Sequence, residues 1–461
     1  MKKLPIIAIV GRANVGKSSL FNAVLNRREA IVAREPGTTR DSITAKASVW
    51  TTADQKSQKK IRKDFWLVDT AGIKSPDDDF ELTIQEQISQ AAESADIIWV
   101  VVEADVQITD EDRRVAKMAL KSGKIVFLLV NKIDRAKGID LDIFTRLGIK
   151  TIIHTSATTH RGMDSLLGQL AESIPNATIE EASNRIRIAL LGRPNVGKSY
   201  LFNTLAKKQQ AIVADRAGTT RDINRVIVKY TGREIELMDT AGIRRSGKIG
   251  QGVEYFSVLR ALSAIEQADV CLLLMDVNEL NVALDQKIAG MVKDSGKGLI
   301  LVVSKWDSAA EKTAFSRDTL APEIAANYSF VPWAPLIFTS SVTGQNVTKI
   351  FDLAVEIVER RKLRIPTPEL NRLLSEAVGA HPPAGLKNRT PKLNYIVQET
   401  DNSVPAFKIF GSQTKFLHWS YRRYLERVIR DRYDFVGTPL QLWFIEKHVA
   451  HRAGDRPREI S

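Results

Sequence analysis

The sequence predicts an α/β protein in which one parallel-sheet domain occurs twice and a smaller α+β domain follows. The first observation is an internal repeat: residues 11–41 and 192–222 align without a gap, with 19 of 31 positions identical. The second is that apolar runs alternate with amphipathic helical patterns through both copies, as in a parallel sheet covered by helices on both faces. The third is that the last 99 residues carry no further copy of the repeat.

Five near-continuous apolar runs in each copy are the predicted strands. They lie near 6–10, 65–69, 97–102, 125–130 and 151–154 in the first copy, and near 186–191, 235–239, 269–275, 299–303 and 335–339 in the second. Ligands bind at the carboxyl ends of such strands, so the residues that follow each run are candidates for a site.

The repeat sets the predicted domain limits. These are 1–174 for the first copy, 175–185 for a polar linker, 186–362 for the second copy and 363–461 for the last domain. The motif DTAGI recurs at an offset of 170 rather than 181, so the first copy is 11 residues longer between these landmarks. The surplus falls in the Lys-rich stretch 51–64, which is either a β-hairpin extension or a mobile loop. A solvated loop is favoured there over an RNA contact.

The composition limits the classes of protein and partner. A length of 461 residues fits about three domains, and 44% hydrophobic with 26% charged residues is typical of a soluble globular protein. The net charge of +13 favours a polyanionic partner over a merely basic enzyme. The single cysteine, Cys271, allows no disulfide within the chain. We expect a cytoplasmic protein without a membrane partner, because the first apolar run stops at Val10 and no run approaches the length of a membrane span.

The last domain has the predicted order α-β-β-α-β. Its elements are expected near 368–378, 392–399, 405–410, 417–432 and 439–446. Arginines and tyrosines alternate in the helical stretch 421–433, which suits RNA backbone contact and base stacking. The alternative is an ordinary amphipathic helix with Leu425, Val428 and Ile429 in the core, and both can hold for different faces.

Each copy carries the phosphate-binding pattern G-x-x-x-x-G-K-[ST] between a strand and a helix. The glycines allow the backbone to wrap a phosphate, and the helix N-terminus points amide groups at the anion. The lysine reaches the β- and γ-phosphates, and the serine hydroxyl is a ligand for Mg²⁺. The residues are Gly11, Arg12, Ala13, Asn14, Val15, Gly16, Lys17 and Ser18, then Gly192, Arg193, Pro194, Asn195, Val196, Gly197, Lys198 and Ser199.

Two further motifs are expected to sense the γ-phosphate. DTAGI supplies Asp69, Thr70, Ala71, Gly72 and Ile73 in the first copy and Asp239, Thr240, Ala241, Gly242 and Ile243 in the second. The aspartates are placed to hold Mg²⁺, and the glycine amides to contact the γ-phosphate. A threonine of GTTRD completes the Mg²⁺ shell; Thr39 and Thr220 are favoured, with Thr38 and Thr219 as alternatives.

The base is selected by an aspartate that follows a later strand. A carboxylate accepts from the paired N1–H and N2–H₂ of guanine, and adenine would leave it unsatisfied. The predicted guanine residues are Asn131, Lys132, Ile133, Asp134, Ser156 and Ala157, then Ser304, Lys305, Trp306, Asp307, Ser340 and Ser341. The serine loops are expected to donate a backbone N–H to guanine O6. The motifs therefore predict a guanine-nucleotide site in each copy.

Motif order and duplication resemble the Der (EngA) family of double-domain GTPases, over nearly the whole chain. The similarity is strongest at GRANVGKS, GTTRD, DTAGI and NKID, at their counterparts in the second copy, and at PKLNYIVQ and SYRRYLERVIRDRYDFVGTPLQLWF near the end. The resemblance implies two tandem P-loop GTPase domains and an α+β KH-like domain. It implies two GTP or GDP per chain with Mg²⁺, and GTP-dependent docking on the rRNA of the large ribosomal subunit.

The chain departs from the family pattern in the second copy. Ser304 stands where the family has Asn, which predicts weaker guanine binding there with specificity kept by Asp307. Ser341 replaces Ala, and little should change because its contribution is a backbone N–H. The last domain has no evident G-x-x-G loop, so RNA clamping of the ordinary KH type is not expected.

The catalytic expectation follows from a missing side chain. Ile73 and Ile243 stand where a Ras-like enzyme has the glutamine that orients water, so intrinsic hydrolysis should be slow. The resemblance implies that K⁺ supplies transition-state charge, held by Asn14 and Asn195. The predicted catalytic residues are Lys17, Lys198, Asn14, Asn195, Gly72 and Gly242, in a protein expected to be a monomer. The alternative function is a GTPase in tRNA modification or another RNA-linked GTP switch.

Overall fold

The computed structural model describes most of the chain. The described residues are 4–25, 44–54, 57–69, 95–136, 138, 140–174, 185–208, 224–239, 261–309, 314–383, 385, 389–400 and 404–446. The GTTRD motifs, with Thr39 and Thr220, lie outside this part of the chain. So do the ends of both DTAGI motifs: Thr70, Ala71, Gly72, Ile73, Thr240, Ala241, Gly242 and Ile243.

The first domain is a six-stranded sheet with helices on both faces. Its strands are β1 Ile6–Val10, β2 Thr44–Asp54, β3 Ser57–Asp69, β4 Ile97–Glu103, β5 Ile125–Asn131 and β6 Thr151–His154. Its helices are α1 Lys17–Leu25, α2 Asp110–Lys121, the 3-10 helix Leu141–Leu147 and α3 Met163–Ser173. The strand order is β2-β3-β1-β4-β5-β6, and all pairs are parallel except β2–β3.

The second domain repeats this architecture. Its strands are β7 Ile186–Leu191, β8 Asn224–Tyr230, β9 Arg233–Asp239, β10 Val270–Asp276, β11 Gly298–Ser304 and β12 Leu336–Phe338. Its helices are α4 Lys198–Lys208, α5 Ala283–Asp294, the 3-10 helix Trp306–Ser308, α6 Ala314–Asn327 and α7 Lys349–Arg361. The order β12-β11-β10-β7-β9-β8 matches that of the first sheet, again with one antiparallel edge pair. The predicted fold class is therefore confirmed, with an antiparallel edge that the apolar runs did not indicate.

The eleven surplus residues of the first copy lengthen an edge hairpin. Strand β2 pairs with β3 from Thr44↔Val68 to Asp54↔Ser57, so residues 51–54 and 57–64 continue the sheet edge. The shorter hairpin of the second copy runs only from Asn224↔Asp239 to Tyr230↔Arg233. Of the two alternatives for this stretch, the structure therefore has the β-hairpin.

The third domain has the predicted α-β-β-α-β order. Its elements are α8 Thr367–Ala380, β13 Lys392–Glu399, β14 Ala406–Ser412, the 3-10 helix Thr414–Phe416, α9 Trp419–Arg432 and β15 Gln441–Glu446. The strands form one sheet, β13-β14-β15, with the second pair parallel. Leu425 and Ile429 of α9 are buried in its core and Val428 packs beside them, as the amphipathic alternative required.

The third domain is fastened to the second by backbone contacts. Gly437 accepts from Leu299 N at 2.9 Å and donates to the Trp333 carbonyl at 2.7 Å, which ties the third domain to the start of β11. The buried Arg361 of α7 donates to the Gly296 carbonyl at 2.9 Å and to the Thr438 hydroxyl at 3.3 Å. These contacts satisfy buried polar groups on both sides of the junction.

A buried carboxylate joins the first two domains. Glu266, in the helical residues 261–267 of the second domain, accepts from Trp66 Nε1 at 2.7 Å and from Leu4 N at 3.2 Å. One apolar cluster spans both domains at this point. Among the described helices, none is both long enough and apolar enough to cross a membrane.

Candidate functional site

Both phosphate loops have a backbone that requires glycine at their first position. Gly11 has φ +152° and Gly192 has φ +131°, and a Cβ on either would lie 2.5 Å from a strand carbonyl, of Val101 or Leu274. Each loop therefore lies directly against the end of the neighbouring strand. Each loop leads straight into the first turn of a helix, α1 at Lys17 and α4 at Lys198, and a glycine-rich loop before a helix N-terminus is the arrangement that cradles a phosphate.

The motif lysine of each copy lies across its own loop. Lys17 Nζ donates to the carbonyls of Gly11 and Arg12, both at 2.7 Å. Lys198 Nζ does the same to Gly192 at 2.8 Å and Arg193 at 2.5 Å. Both side chains are buried, and burial lowers the pKa of Lys198 to about 8. An ammonium group held inside a loop of amides is placed to meet a phosphate.

The residues expected at Mg²⁺ lie at one end of each sheet. Asp69 ends β3 and Asp239 ends β9, and both carboxylates are buried. The hydroxyls of Ser18 and Ser199 follow the lysines in the first turns of α1 and α4. Carboxylate and hydroxyl oxygens are the ligands that Mg²⁺ prefers, so this donor set fits the metal.

The selector aspartates are held by the serines of the neighbouring loop. The Ser340 hydroxyl donates to Asp307 Oδ1 at 2.6 Å, and a hydrogen bond from the Ser156 hydroxyl is the largest cause that lowers the pKa of Asp134. The same serine oxygens accept from Thr343 N and Thr159 N, both at 3.1 Å. The serines therefore orient both aspartates, and the lowered pKa of Asp134 keeps that carboxylate ionised, as an acceptor for a base edge must be.

The first residue of the guanine motif ties this region to the phosphate loop. Asn131 Nδ2 donates to the Val15 carbonyl at 2.9 Å, and its Oδ1 accepts from Ala157 N at 3.2 Å. In the second copy the Ser304 hydroxyl lies 2.7 Å from the Val196 carbonyl but has no recorded bond to Ser341 N. Serine therefore keeps the link to the phosphate loop, and the link to the base loop is made only in the first copy.

Acidic residues that the motifs did not indicate brace the sites. Glu103 at the end of β4 pairs with Lys132, whose Nζ also donates to the Asn14 carbonyl at 2.8 Å. In the second copy Asp276 pairs with Lys305 at 2.6 Å. Partial burial would raise the pKa of each carboxyl, but the lysine partner outweighs it and lowers the pKa. Their position in the sequence could have indicated these two acids, because each directly follows a central apolar run and ends its strand.

The arginine of each phosphate loop is also braced by carboxylates. Arg12 lies 3.1 Å from Glu103 and 3.5 Å from Asp112, and Arg193 lies 3.0 Å from Asp285. Asp112 and Asp285 are buried at equivalent places in α2 and α5. The phosphate-loop motif predicts the arginines in the loop, but nothing in the sequence pairs them with these helices.

In each copy, the structure thus brings the described phosphate, Mg²⁺ and guanine residues together at the carboxyl ends of the parallel strands. Such a sheet, with a lysine-bearing loop after its first strand and a paired selector aspartate, is that of a P-loop GTPase, and the chain has it twice. A family model described as "50S ribosome-binding GTPase" matches residues 6–132 and 187–305, and one described as "KH-domain-like of EngA bacterial GTPase enzymes, C-terminal" matches 364–444. The chain belongs to the GTPase Der family. It is a GTP hydrolase that uses a guanine nucleotide with Mg²⁺.

The curated relatives match along almost the whole chain. GTPase Der of Chloroflexus aggregans is 41% identical over 95% of this chain and 97% of its own length. GTPase Der of Agathobacter rectalis is 38% identical over the same shares. Among solved structures, Era bound to MgGDPNP and nucleotides 1506–1542 of 16S ribosomal RNA covers 57% of this chain and 94% of its own, at 22% identity and a TM-score of 0.31.

Proposed function

We propose that this GTPase acts in the cytoplasm in assembly of the large ribosomal subunit. It docks on ribosomal RNA in its GTP-bound state and leaves after hydrolysis. The observation that carries the proposal is the attachment of two equivalent nucleotide cradles to a basic third domain. From Arg364 onward the chain has 16 Lys and Arg against 10 Asp and Glu. A basic surface suits RNA, and a γ-phosphate-dependent loop suits a timed release.

The bonded junction between the second and third domains supports a mechanical link to the RNA. Backbone hydrogen bonds at Gly437 and side-chain hydrogen bonds of the buried Arg361 tie these two domains together. A change at the second nucleotide site is then carried to the third domain without a free hinge between them. The printed description of the matching family model, which names the 50S ribosome, points in the same direction.

Each chain binds two nucleotides, one per cradle, and acts as a monomer. The cradle residues predicted above hold the phosphates, and Ser18, Thr39 and Asp69, with Ser199, Thr220 and Asp239, complete the two Mg²⁺ shells. Asn14 and Asn195 would hold a potassium ion, which when bound would supply the transition-state charge that no glutamine supplies. Both asparagines have left-handed backbone, with φ +64° and +63°, so both loops present them in the same way.

Co-sedimentation with ribosomal subunits tests the proposal. The full chain is incubated with isolated large or small subunits in GTP, in GDP or in a non-hydrolysable GTP analogue. We expect binding to large subunits with the analogue and release with GDP. Binding that ignores the nucleotide, or that prefers small subunits, would reject the proposal.

Single-site variants assign the docking step to one domain. Lys17→Ala and Lys198→Ala each remove one ammonium from its loop and leave the other cradle intact. If one variant abolishes analogue-dependent sedimentation and the other does not, the first identifies the domain that controls docking. GDP titration gives the number of nucleotides bound per chain. We expect two for the native chain and one for each variant.

A further inference from the structure

A shallow basic groove lies on the first domain, away from its nucleotide site. It is a cavity of about 420 Å³ between α2 and the 3-10 helix Leu141–Leu147. Four of the six lining side chains are cationic and two are leucines. The groove residues are Arg113, Lys117, Leu120, Lys121, Arg146 and Leu147.

The cations of α2 form a regular row. Arg113, Lys117 and Lys121 are four residues apart, so they lie on one helix face at intervals of about 6 Å along the axis. This spacing is close to that of successive phosphates along a nucleic-acid strand. Like charges four residues apart destabilise a helix, so the row is not there for the stability of α2.

The row has no acidic partner within the described part of the chain. No ion pair recorded there includes Arg113, Lys117, Lys121 or Arg146, and all four are exposed. The arginine of the phosphate loop behaves differently, because Arg12 is paired with two carboxylates on the same domain. The positive charge of the groove is therefore available to an outside anion.

The second domain provides an internal comparison, because the same fold occurs without the row. The motif SGK follows both helices, at 122–124 and 295–297. This alignment places Gln286, Gly290 and Asp294 of α5 at the positions of Arg113, Lys117 and Lys121. The fold therefore does not require the cations.

The two domains also differ in what covers this side of the sheet. In the second domain the turn after α5 is covered by the third domain, because a Cβ on Gly296 would lie 2.5 Å from Val404. At the equivalent Gly123 of the first domain, no atom of the described residues lies within 4 Å of that position. Within the part of the chain that the structure describes, the surface that the third domain occupies in one copy is thus uncovered in the other.

We propose that the basic groove binds the phosphate backbone of an RNA strand. The three cations of α2 and Arg146 contact phosphates, and the half-exposed Leu120 contacts a ribose or an unpaired base. This inference rests on the proposed docking to ribosomal RNA and assigns a contact of that docking to the first domain.

The test is a charge-removing variant of the full chain. Arg113→Gln, Lys117→Gln and Lys121→Gln together keep the aliphatic stems and the helix propensity of α2. The matched control changes three exposed lysines of the second domain that have no recorded ion pair: Lys207→Gln, Lys229→Gln and Lys349→Gln. Affinity is measured over a range of salt for two probes, deproteinised large-subunit rRNA and intact large subunits. GDP binding reports whether each variant is folded.

The groove variant should bind the rRNA more weakly than the native chain does. The magnitude of its slope of log K against log salt should be smaller by about 2 to 3. The control variant should show smaller changes in both the affinity and the slope. This result supports the groove even if intact subunits are not bound, an outcome that would reject only the proposed function. Equal affinity and slope for the groove variant and the native chain would overturn the inference. Binding of the native chain to phosphatidylserine vesicles but not to the rRNA would overturn it as well.

Discussion

The Ser304 hydroxyl lies 2.7 Å from the carbonyl oxygen of Val196. Val15 is the equivalent loop residue of the first domain, and its carbonyl accepts from Asn131 Nδ2. The two nucleotide sites therefore share the link from the base strand to the phosphate loop. They differ in the second arm of the asparagine, which reaches Ala157 N at 3.2 Å. The second site is built with one fewer connection between its base loop and its phosphate loop.

Restoring that connection should tighten the second site. We expect Ser304→Asn to strengthen GDP binding there by about fivefold, because one hydrogen bond contributes about 1 kcal/mol. There is room for the longer side chain: a Cβ on Gly16 would lie 2.3 Å from Asn131 Nδ2, whereas one on Gly197 would have nothing within 4 Å. GDP titration in a Lys17→Ala background isolates the second site.

The reverse change is the matched control for this prediction. Asn131→Ser in a Lys198→Ala background should weaken the first site to a similar degree. Unchanged or weaker GDP binding by Ser304→Asn would show that the second arm of the asparagine does not contribute to affinity.

Nucleotide binding at the second site should take up a proton at alkaline pH. Burial lowers the pKa of Lys198 to about 8 in the free protein, and adjacent phosphates would favour its charged form and raise the pKa. The ammonium is already present below pH 8, so binding there needs no proton. As pH rises above 8, binding increasingly takes up a proton and affinity falls.

Calorimetry in buffers of different ionisation enthalpy measures this uptake directly. At about pH 9 the native second site should take up most of one proton, and a Lys198→Ala variant none. A proton count near zero at both pH 7 and pH 9 would mean that Lys198 stays charged without its ligand.

Hydrolysis should be faster in K⁺ than in Na⁺. The residue after DTAG is an isoleucine in both copies, so no side chain there orients water, and a cation near Asn14 or Asn195 is expected to supply the missing charge stabilisation. Asn14→Asp and Asn195→Asp should remove the acceleration at their own sites. Steady-state phosphate release in matched chloride salts is the measurement, and equal rates in the two salts would refute the prediction.

The link between the first two domains should contribute measurably to stability. Glu266→Ala leaves the buried Trp66 Nε1 and Leu4 N without their acceptor, at a cost of about 1–3 kcal/mol. Urea unfolding should show the loss in the transition that reports Trp66. As a control, Glu356→Ala removes an exposed carboxylate paired with Arg360, and its effect should stay below about 0.5 kcal/mol. Equal effects of the two changes would mean that water or another acceptor replaces the Glu266 carboxylate.

The sequence predicted most of the fold because its strongest signals are local. Apart from β3, whose hairpin part lies before the predicted run 65–69, the apolar runs matched the inner strands within one or two residues, as β4 and β10 illustrate. The edge strands β2 and β8 were missed, because an edge strand is polar on its outer side and gives no continuous apolar run. The hairpin 51–64 could not be separated from a loop for the same reason.

Part of the site was also readable from sequence, and part was not. The loop glycines and lysines act through their own backbone, so a motif of eight residues describes them. Glu103 and Asp276 are distant in sequence from the lysines they hold, and their pairing depends on which strand ends lie side by side. The bracing of Arg12 by Asp112 depends in the same way on how α2 packs.

The sequence by itself determined that this chain has two guanine-nucleotide sites on duplicated parallel-sheet domains, because glycine spacing, a loop lysine and a selector aspartate are local chemistry. Only the tertiary structure decided that Glu266 fastens the second domain to the first, that the third domain covers the second at Gly296, and that the equivalent side of the first domain lies open beside a row of cations. Such relationships come from residues far apart along the chain, which are brought together by burial of apolar surface rather than by any pattern in their neighbours.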